Sequence, residues 1–308
     1  MVDKATKLET IYNRIHEIRT RFEVIWRDIE IHYYEQLIKG EEKGKLLAWK
    51  TKEQQALLDD FSFIAACNLG GEFMEEEKIK RIKMIAKRTW LRHFDNRLGL
   101  SEEELSRYDE GCSAALPASE HLLYDGKEHF IERIGFDAEA YTKKGFKLDV
   151  PHYLYNRGEI YNLCIKKGTL TEEERFKINE HIIMTIKMLE QLPFPETMKA
   201  IPKIAGEHHE TIDGTGYPRR LAKKDLSIPS RIMAIADIFE ALTASDRPYK
   251  KAKTLSETLK IMSAMKKEQH IDADLFDLFV RSGIYLHYAK KYLQESQIDE
   301  VDVETLLA

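Results

Sequence analysis

Cysteine is scarce: Cys67, Cys112 and Cys164 are the only three in 308 residues, widely spaced and in no C-x-x-C pairing. An odd, scattered set excludes a disulfide framework and points to reduced, mostly buried thiols, as in a cytoplasmic protein. Long apolar runs are also missing. No stretch approaches the roughly 18 apolar residues that a membrane span needs, and Asp3 and Lys4 interrupt the start where a signal peptide would be apolar. A basic surplus is absent, with a net charge of -5, which argues against a general binder of polymeric nucleic acid. It leaves room for a small anionic ligand in a local pocket. Internal repeats and low-complexity tracts are absent too, and strand-like alternation is rare.

What is present is charge of both signs and helical periodicity. The 33% of charged residues come in mixed clusters such as Glu75-Glu76-Glu77-Lys78, the mark of solvated helix faces. Leu8, Ile11, Ile15, Ile18, Phe22, Ile25 and Ile29 recur at steps of three and four, a heptad seam. Such a seam serves either a dimerising stalk that relays a signal or one amphipathic helix packed on its own domain. Its position suggests a sensor domain upstream or in a partner. Further helices are predicted over Lys52–Asn68 and Glu75–Phe94, then after Ser101, whose spacing to Glu104 forms a capping box. The stretch from Gly111 to about Asp149 is glycine-rich and aperiodic, a loop-rich insertion with short helices. Thr171 and Glu174 form a second capping box, opening a helix that carries Ile178, Ile182, Ile186 and Leu189. Helices over Ile201–His208 and from Pro229 to about Ala244 follow. The expected fold is all-α, with an N-terminal helical region over 1–70 and a helical domain over 71–308 that contains the insertion at about 111–150.

Several residues have chemistry to offer. His208-His209-Glu210 precedes Asp213-Gly214-Thr215-Gly216-Tyr217-Pro218, so a helix ending in two histidines meets a tightly folding loop, a plausible metal rim. A capping histidine beside an exposed one is the plainer reading of the pair alone. Asp237 lies in a helix apolar nearly all round, where an unpaired carboxylate is costly. It therefore needs a metal, or an arginine such as Arg231 or Arg247. His181 sits among apolar neighbours and reads equally well as a core histidine. Arg247 offers a planar donor fork and Lys250 a point charge, two ways to grip a phosphate or to make a surface ion pair.

Taken together, His-His-Glu, Asp-Gly-Thr-Gly-Tyr-Pro, Ile-Pro-Ser-Arg-Ile-Met-Ala-Ile-Ala-Asp-Ile-Phe-Glu-Ala-Leu-Thr-Ala and Asp-Arg-Pro-Tyr-Lys strongly resemble the HD-GYP family. The Gly168-Thr169-Leu170-Thr171 segment and His181 fit in order and spacing, and the close match runs from about Gly168 to Lys260. The resemblance implies an HD-superfamily helical domain, a divalent transition metal and hydrolysis of cyclic di-GMP. Iron or manganese is the expected metal, zinc is also compatible, and the count is open down to none. By the same resemblance His181, His208, His209 and Asp237 are metal ligands, with Asp237 and His209 as the catalytic candidates. Arg247 and Lys250 would hold the substrate phosphate, and Gly216, Tyr217 and Pro218 would form a loop that contacts a signalling partner.

The first half of the family's site is altered. The family places a His-Asp pair and then Ile-Gly-Lys before the Gly-Thr-Leu-Thr segment. Tyr155 and Asn156 stand there in place of two ligands, and Glu159 in place of a lysine. An ungapped placement puts His152 and Tyr153 at the pair. Lys78 stands where an earlier ligand histidine belongs. Either Lys78 fills the vacated charge by pairing with Asp237, leaving no metal, or His121, His129 or Asp149 from the insertion serves as a substitute ligand; His93 with Asp95 reads as a helix C-cap. The expectation is a degenerate metal centre with its phosphate side retained, so that binding of a cyclic dinucleotide or a protein partner is favoured over turnover, in a cytoplasmic homodimer. An active phosphodiesterase and a structural dimerisation scaffold are the alternatives.

Overall fold

The computed structural model describes residues 14–109, 114–244 and 252–307. In chain order the first half contains α1 (Arg14–Ile38), α2 (Lys43–Asn68), β1 (Gly71–Phe73), α3 (Glu76–Ala86), β2 (Thr89–Arg92), α4 (Glu102–Leu105), β3 (Ala118–His121), β4 (Phe130–Glu132) and α5 (Ala138–Lys143). There follow β5 (Tyr153–Asn156), α6 (Glu159–Leu163), β6 (Lys167–Gly168), α7 (Glu172–Leu189), α8 (Ile201–Glu207) and α9 (Ile228–Thr243). The chain ends with α10 (Leu255–Lys267), α11 (Ala273–Arg281), α12 (Ile284–Tyr292) and α13 (Val303–Leu307). Helices carry the cores, as the all-α reading expects. The strands form three two-stranded antiparallel pairs, β1–β6, β2–β3 and β4–β5.

The chain divides into two compact units. One combines Met1–Gly135 with Pro151–Arg175, the other Phe136–Val150 with Phe176–Ala308, each taken over its described residues. In the first unit the heptad positions Ile18, Phe22, Ile25 and Ile29 are buried in one cluster with Leu57 and Ile64 of α2 and Ile82 and Ile85 of α3. The seam from Ile18 onward is thus satisfied inside the chain, because its stripe meets α2 directly. Leu8 and Ile11 lie outside the described residues. Arg21 on α1 is 7% exposed and donates to Glu159 at 2.9 Å and to the Leu122 carbonyl at 3.0 Å. The helix expected over Glu75–Phe94 stops at Ala86, and its end becomes β2, which pairs with β3 from residue 118 onward. The partner strand is almost thirty residues away, so no local pattern announces the switch.

In the second unit, Ile182, Ile183 and Ile186 of α7 are buried with Tyr141 and Phe146 from the α5 segment. Each fully buried isoleucine contributes roughly 1.5–3 kcal/mol over exposure. A larger cluster joins Ile235 and Phe239 of α9 to Leu255, Leu259 and Met262 of α10 and Phe276 and Val280 of α11. Both expected capping boxes are formed: Ser101 with Glu104, and Thr171 with Glu174. The helix from Ile228 starts on an N-cap, where Ser227 accepts from the Ser230 N–H at 3.3 Å, with Pro229 in the first turn where no donor is lost. α9 is not buried all round. Ile228, Ile232 and Met233 are 45–57% exposed, and the sequence overestimated burial because it shows apolar content but not which faces find a neighbour.

Candidate metal centre

The site lies in the second unit, where α8 crosses α7. A side chain at Gly206 would bring its Cβ to 2.6 Å from Ile186 Cγ1, so only glycine permits this approach. α8 ends at Glu207, with His208 and His209 just beyond its last turn, facing His181 on α7. One ring nitrogen from each of His181, His208 and His209 lies within 4.8 Å of the other two. Among the described residues this is the one such group of three or more histidine, cysteine or acidic side chains.

The ring nitrogens facing the cluster have a defined chemistry. His181 Nδ1 lies 2.5 Å from the Ile178 carbonyl and His208 Nδ1 lies 2.8 Å from the Ala205 carbonyl. A carbonyl only accepts, so each Nδ1 carries the proton and each Nε2 keeps its lone pair. His209 Nε2 stands 3.2 Å from His181 Nε2. That spacing suits one ring donating to the other. It suits equally two nitrogens on one cation, which at about 2.0–2.1 Å each stand roughly 3 Å apart. Burial, helped by His208 and His181 and opposed by Asp237, lowers the His209 pKa to about 4. Three imidazole nitrogens turned toward one another are a donor set that fits a divalent iron, manganese or zinc ion.

Asp237 stands on the other side of His209, with Oδ2 4.0 Å from Nδ1. Its side chain is 43% exposed, against the burial expected from its helix. Arg231, one candidate partner, instead donates to Asp272 at 2.5 Å. His181 is exposed rather than a core residue, because its side of α7 is turned away from Ile182, Ile183 and Ile186. Arg247 and Lys250 lie outside the described residues.

The Gly-Tyr-Pro loop is built onto the histidines. Tyr217 stacks on His209 with ring centroids 4.7 Å apart, and its N–H donates to the His209 carbonyl at 3.1 Å. Burial, with Asp237 adding to it, pushes the Tyr217 hydroxyl up to about 12. Glu210 is 4% exposed and accepts from the N–H groups of Arg219 and Leu221 at 2.6 and 2.8 Å, which ties the loop to the end of α8. Gly216 and Pro218 are buried and Tyr217 is half-buried, so the exposed residues of the loop are its flanks Asp213, Thr215 and Arg220.

The positions that the sequence reading takes as altered lie in the first unit, each with its own contacts. Lys78 is exposed on α3, 3.6 Å from Glu75. Tyr155 and Asn156 lie on β5 opposite Ile131 and Phe130. Glu159 is 4% exposed and bonded to Arg21 and to the Tyr124 N–H. His152 packs its ring edge-on to Tyr153. His121 sits on β3, and His129 Nδ1 accepts from the Gly126 N–H at 3.1 Å. In the second unit Asp149 pairs with Arg220 at 3.0 Å. His93 and Asp95 cap no helix: they follow β2, and Asp95 accepts from the Arg97 N–H in a turn.

Sequence reasoning missed the cleft beside the histidines. It has a volume of about 530 Å³, and His208, Met233, Asp237, Glu240, Phe279 and Tyr288 line it. Residues 233, 237 and 240 recur at helical spacing, so one face of α9 was legible. Its partners on α11 and α12 were not.

A model of the HD domain matches residues 113–275, just over half of the chain. The 3′3′-cGAMP-specific phosphodiesterase 1 of Vibrio cholerae is 39% identical over 156 residues, 51% of this chain and 35% of that protein. A cyclic di-GMP phosphodiesterase of Pseudomonas aeruginosa is 36% identical over 121 residues, 39% of this chain and 28% of its own length. The cyclic di-GMP phosphodiesterase response regulator RpfG of Xanthomonas campestris is 34% identical over 163 residues, 51% of this chain and 40% of its length. The chain thus spans well under half the length of these relatives. No helix among the described residues is long and apolar enough to cross a membrane. With the histidine trio, the Gly-Tyr-Pro loop and a matching domain model in one segment, the chain belongs to the HD domain family, in its HD-GYP branch.

Proposed function

We propose that this chain is a cytoplasmic signalling protein that binds a cyclic dinucleotide at a divalent metal centre, with binding favoured over turnover. The observation that carries the reading is the convergence of His181, His208 and His209 within 4.8 Å, with Asp237 beside His209. These histidines would hold an iron or manganese ion, or zinc, through their unprotonated nitrogens. Such a metal supplies Lewis acidity toward a phosphoryl oxygen. Asp237, whose carboxylate stands 4.0 Å from His209 Nδ1, is the fourth ligand that the motif assigns to the ion. Tyr217 covers one face of His209 and limits water access and ring tilt. Arg247 and Lys250 are assigned the phosphate, on their residue types and their place in the motif. The exposed flanks of the Gly-Tyr-Pro loop are the assigned face for a protein partner.

Binding is favoured because the positions that align with the family's His-Asp pair and its lysine are otherwise engaged. Glu159 is spent on Arg21, and Tyr155 and Asn156 on a strand pair. Hydrolysis is the second reading, favoured by the phosphodiesterase names of the relatives. The deciding experiment measures metal content, cyclic di-GMP binding and cyclic di-GMP hydrolysis on anaerobically purified protein, beside a His208→Ala, His209→Ala double variant. The expected result is about one metal per chain, lost in the variant together with binding, and slow turnover. Two or more metals with rapid turnover would move the protein to the hydrolases. No metal and no nucleotide binding would leave a structural scaffold. Light scattering on the same sample tests the homodimer, for which the heptad positions from Ile18 onward are no longer free, being buried against α2 within the chain.

A further inference from the structure

The cleft next to the histidines differs in character from the histidine end. His208 and Asp237 border both, so the cleft continues from the proposed metal centre along α9. Its far wall is aromatic. Phe239, 4% exposed, meets Phe279 edge-on at 5.2 Å and Tyr288 edge-on at 5.7 Å, and Tyr288 in turn lies 4.8 Å from Tyr292. Packing against a buried ring therefore fixes Phe279 and Tyr288 before any ligand arrives. The chief polar feature beyond the metal end is Glu240, one helical turn from Asp237 on the same face of α9. Its carboxylate is exposed and has no ion-pair partner among the described residues.

We infer that this cleft is the base pocket of the ligand site, and that Glu240 selects guanine over adenine. The inference rests on the reading above, in which the histidine end takes the phosphate of a cyclic dinucleotide. A pocket of some 300–1,000 Å³ with mostly apolar walls and a few placed polar groups is the usual form of a small-molecule site, and about 530 Å³ falls within that range. Rigid aromatic walls suit a planar base, since every base has a π-face. A carboxylate accepts and does not donate. Guanine presents two adjacent donors on its pairing edge, the N1–H and the N2 amino group, and a carboxylate matches both at once. Adenine presents the N1 lone pair beside its amino group, so one carboxylate oxygen would face another acceptor.

The test is titration calorimetry on the metal-loaded full chain with cyclic di-GMP, 3′3′-cGAMP and cyclic di-AMP, for wild type, Glu240→Gln and Tyr288→Leu. Loss of a bidentate match is worth about tenfold or more, so wild type should bind cyclic di-AMP at least that much more weakly than cyclic di-GMP. Glu240→Gln offers both a donor and an acceptor and should shrink the gap to about threefold or less, with metal content unchanged. Tyr288→Leu should weaken all three ligands alike, because stacking ignores base identity. A wild-type protein that binds cyclic di-AMP as tightly as cyclic di-GMP, or a gap that survives Glu240→Gln, overturns the inference while leaving the functional reading intact. If metal-loaded wild type binds none of the three, that reading fails and the base pocket with it.

Discussion

A Cβ at Gly216 would lie 2.4 Å from the Thr211 nitrogen and 2.6 Å from the Glu210 Cα, both backbone atoms that cannot swing away. Gly216→Ala must therefore push the Gly-Tyr-Pro loop off the end of α8, and with it the Tyr217 ring that covers His209. Overpacking of this kind costs about 1–3 kcal/mol, so a lowered thermal midpoint and weaker metal retention are expected together. Unchanged metal content in a destabilised variant would mean that the loop does not support the histidines. A second residue with a measurable signature is Asp272. Burial alone would raise its pKa, but the hydrogen bonds from Arg231, the Leu275 N–H and Lys223 outweigh it and hold the carboxyl below the usual range. A carboxylate whose folded pKa lies below its unfolded value near 3.9 stabilises the fold fully above about pH 5. That contribution is lost as pH falls toward the folded value. Asp272→Asn should thus lower stability at pH 7 and flatten its decline between about pH 5 and pH 3, read by chemical denaturation at each pH. At this scale the histidines and Asp237 were legible because His181 and Asp237 flank the His208-His209 pair at the family's order and spacing, each almost thirty residues away. Glu240, Phe279 and Tyr288 were not, since only tertiary packing brings α9, α11 and α12 around one cleft.

Elements were legible where their ends carry local chemistry. α9 was placed to within a residue by Pro229 and the apolar run, and α7 and α4 by their capping boxes. α2 begins at Lys43, nine residues before the expected Lys52, because Leu46, Leu47, Ala48 and Trp49 come as one apolar block after Lys43-Gly44-Lys45 and show no helical period. The strands were hidden for a different reason: β1 pairs with β6 and β2 with β3 across intervening elements of the chain, and segments of two to four residues are too short to alternate. One interaction between elements bears on function. The Arg21–Glu159 pair joins α1 to α6, with both side chains under 10% exposed. Removing one member of such a pair strands a buried charge and costs about 3–5 kcal/mol. Glu159→Ala should cost that much in a urea titration, and Glu159→Lys more, since it sets an ammonium beside Arg21 and Arg14. If Glu159→Lys were instead as stable as wild type and gained cyclic di-GMP hydrolysis, the position would still serve the lysine role that the family resemblance assigns to it.

At the scale of the whole chain, two units with separate cores divide the labour, and the placement of tryptophan lets them be watched separately. Trp26, Trp49 and Trp90 all lie in the first unit, whereas His181, His208, His209 and Asp237 lie in the second. A metal that binds only the folded state stabilises the unit that holds it by RT ln(1 + [L]/Kd), about 2.7 kcal/mol at a hundredfold excess over Kd. Added divalent iron or manganese should therefore raise the helical unfolding midpoint of the second unit, followed by circular dichroism. Tryptophan fluorescence should show the first unit melting where it did before. Glu159→Ala reverses the pattern, lowering the fluorescence midpoint and leaving the metal-dependent transition in place. A metal shift of equal size in both signals would mean that the two units unfold as one cooperative body. A metal ion on the histidines would then stabilise α1 as well, and the N-terminal helix would be energetically coupled to the ligand site.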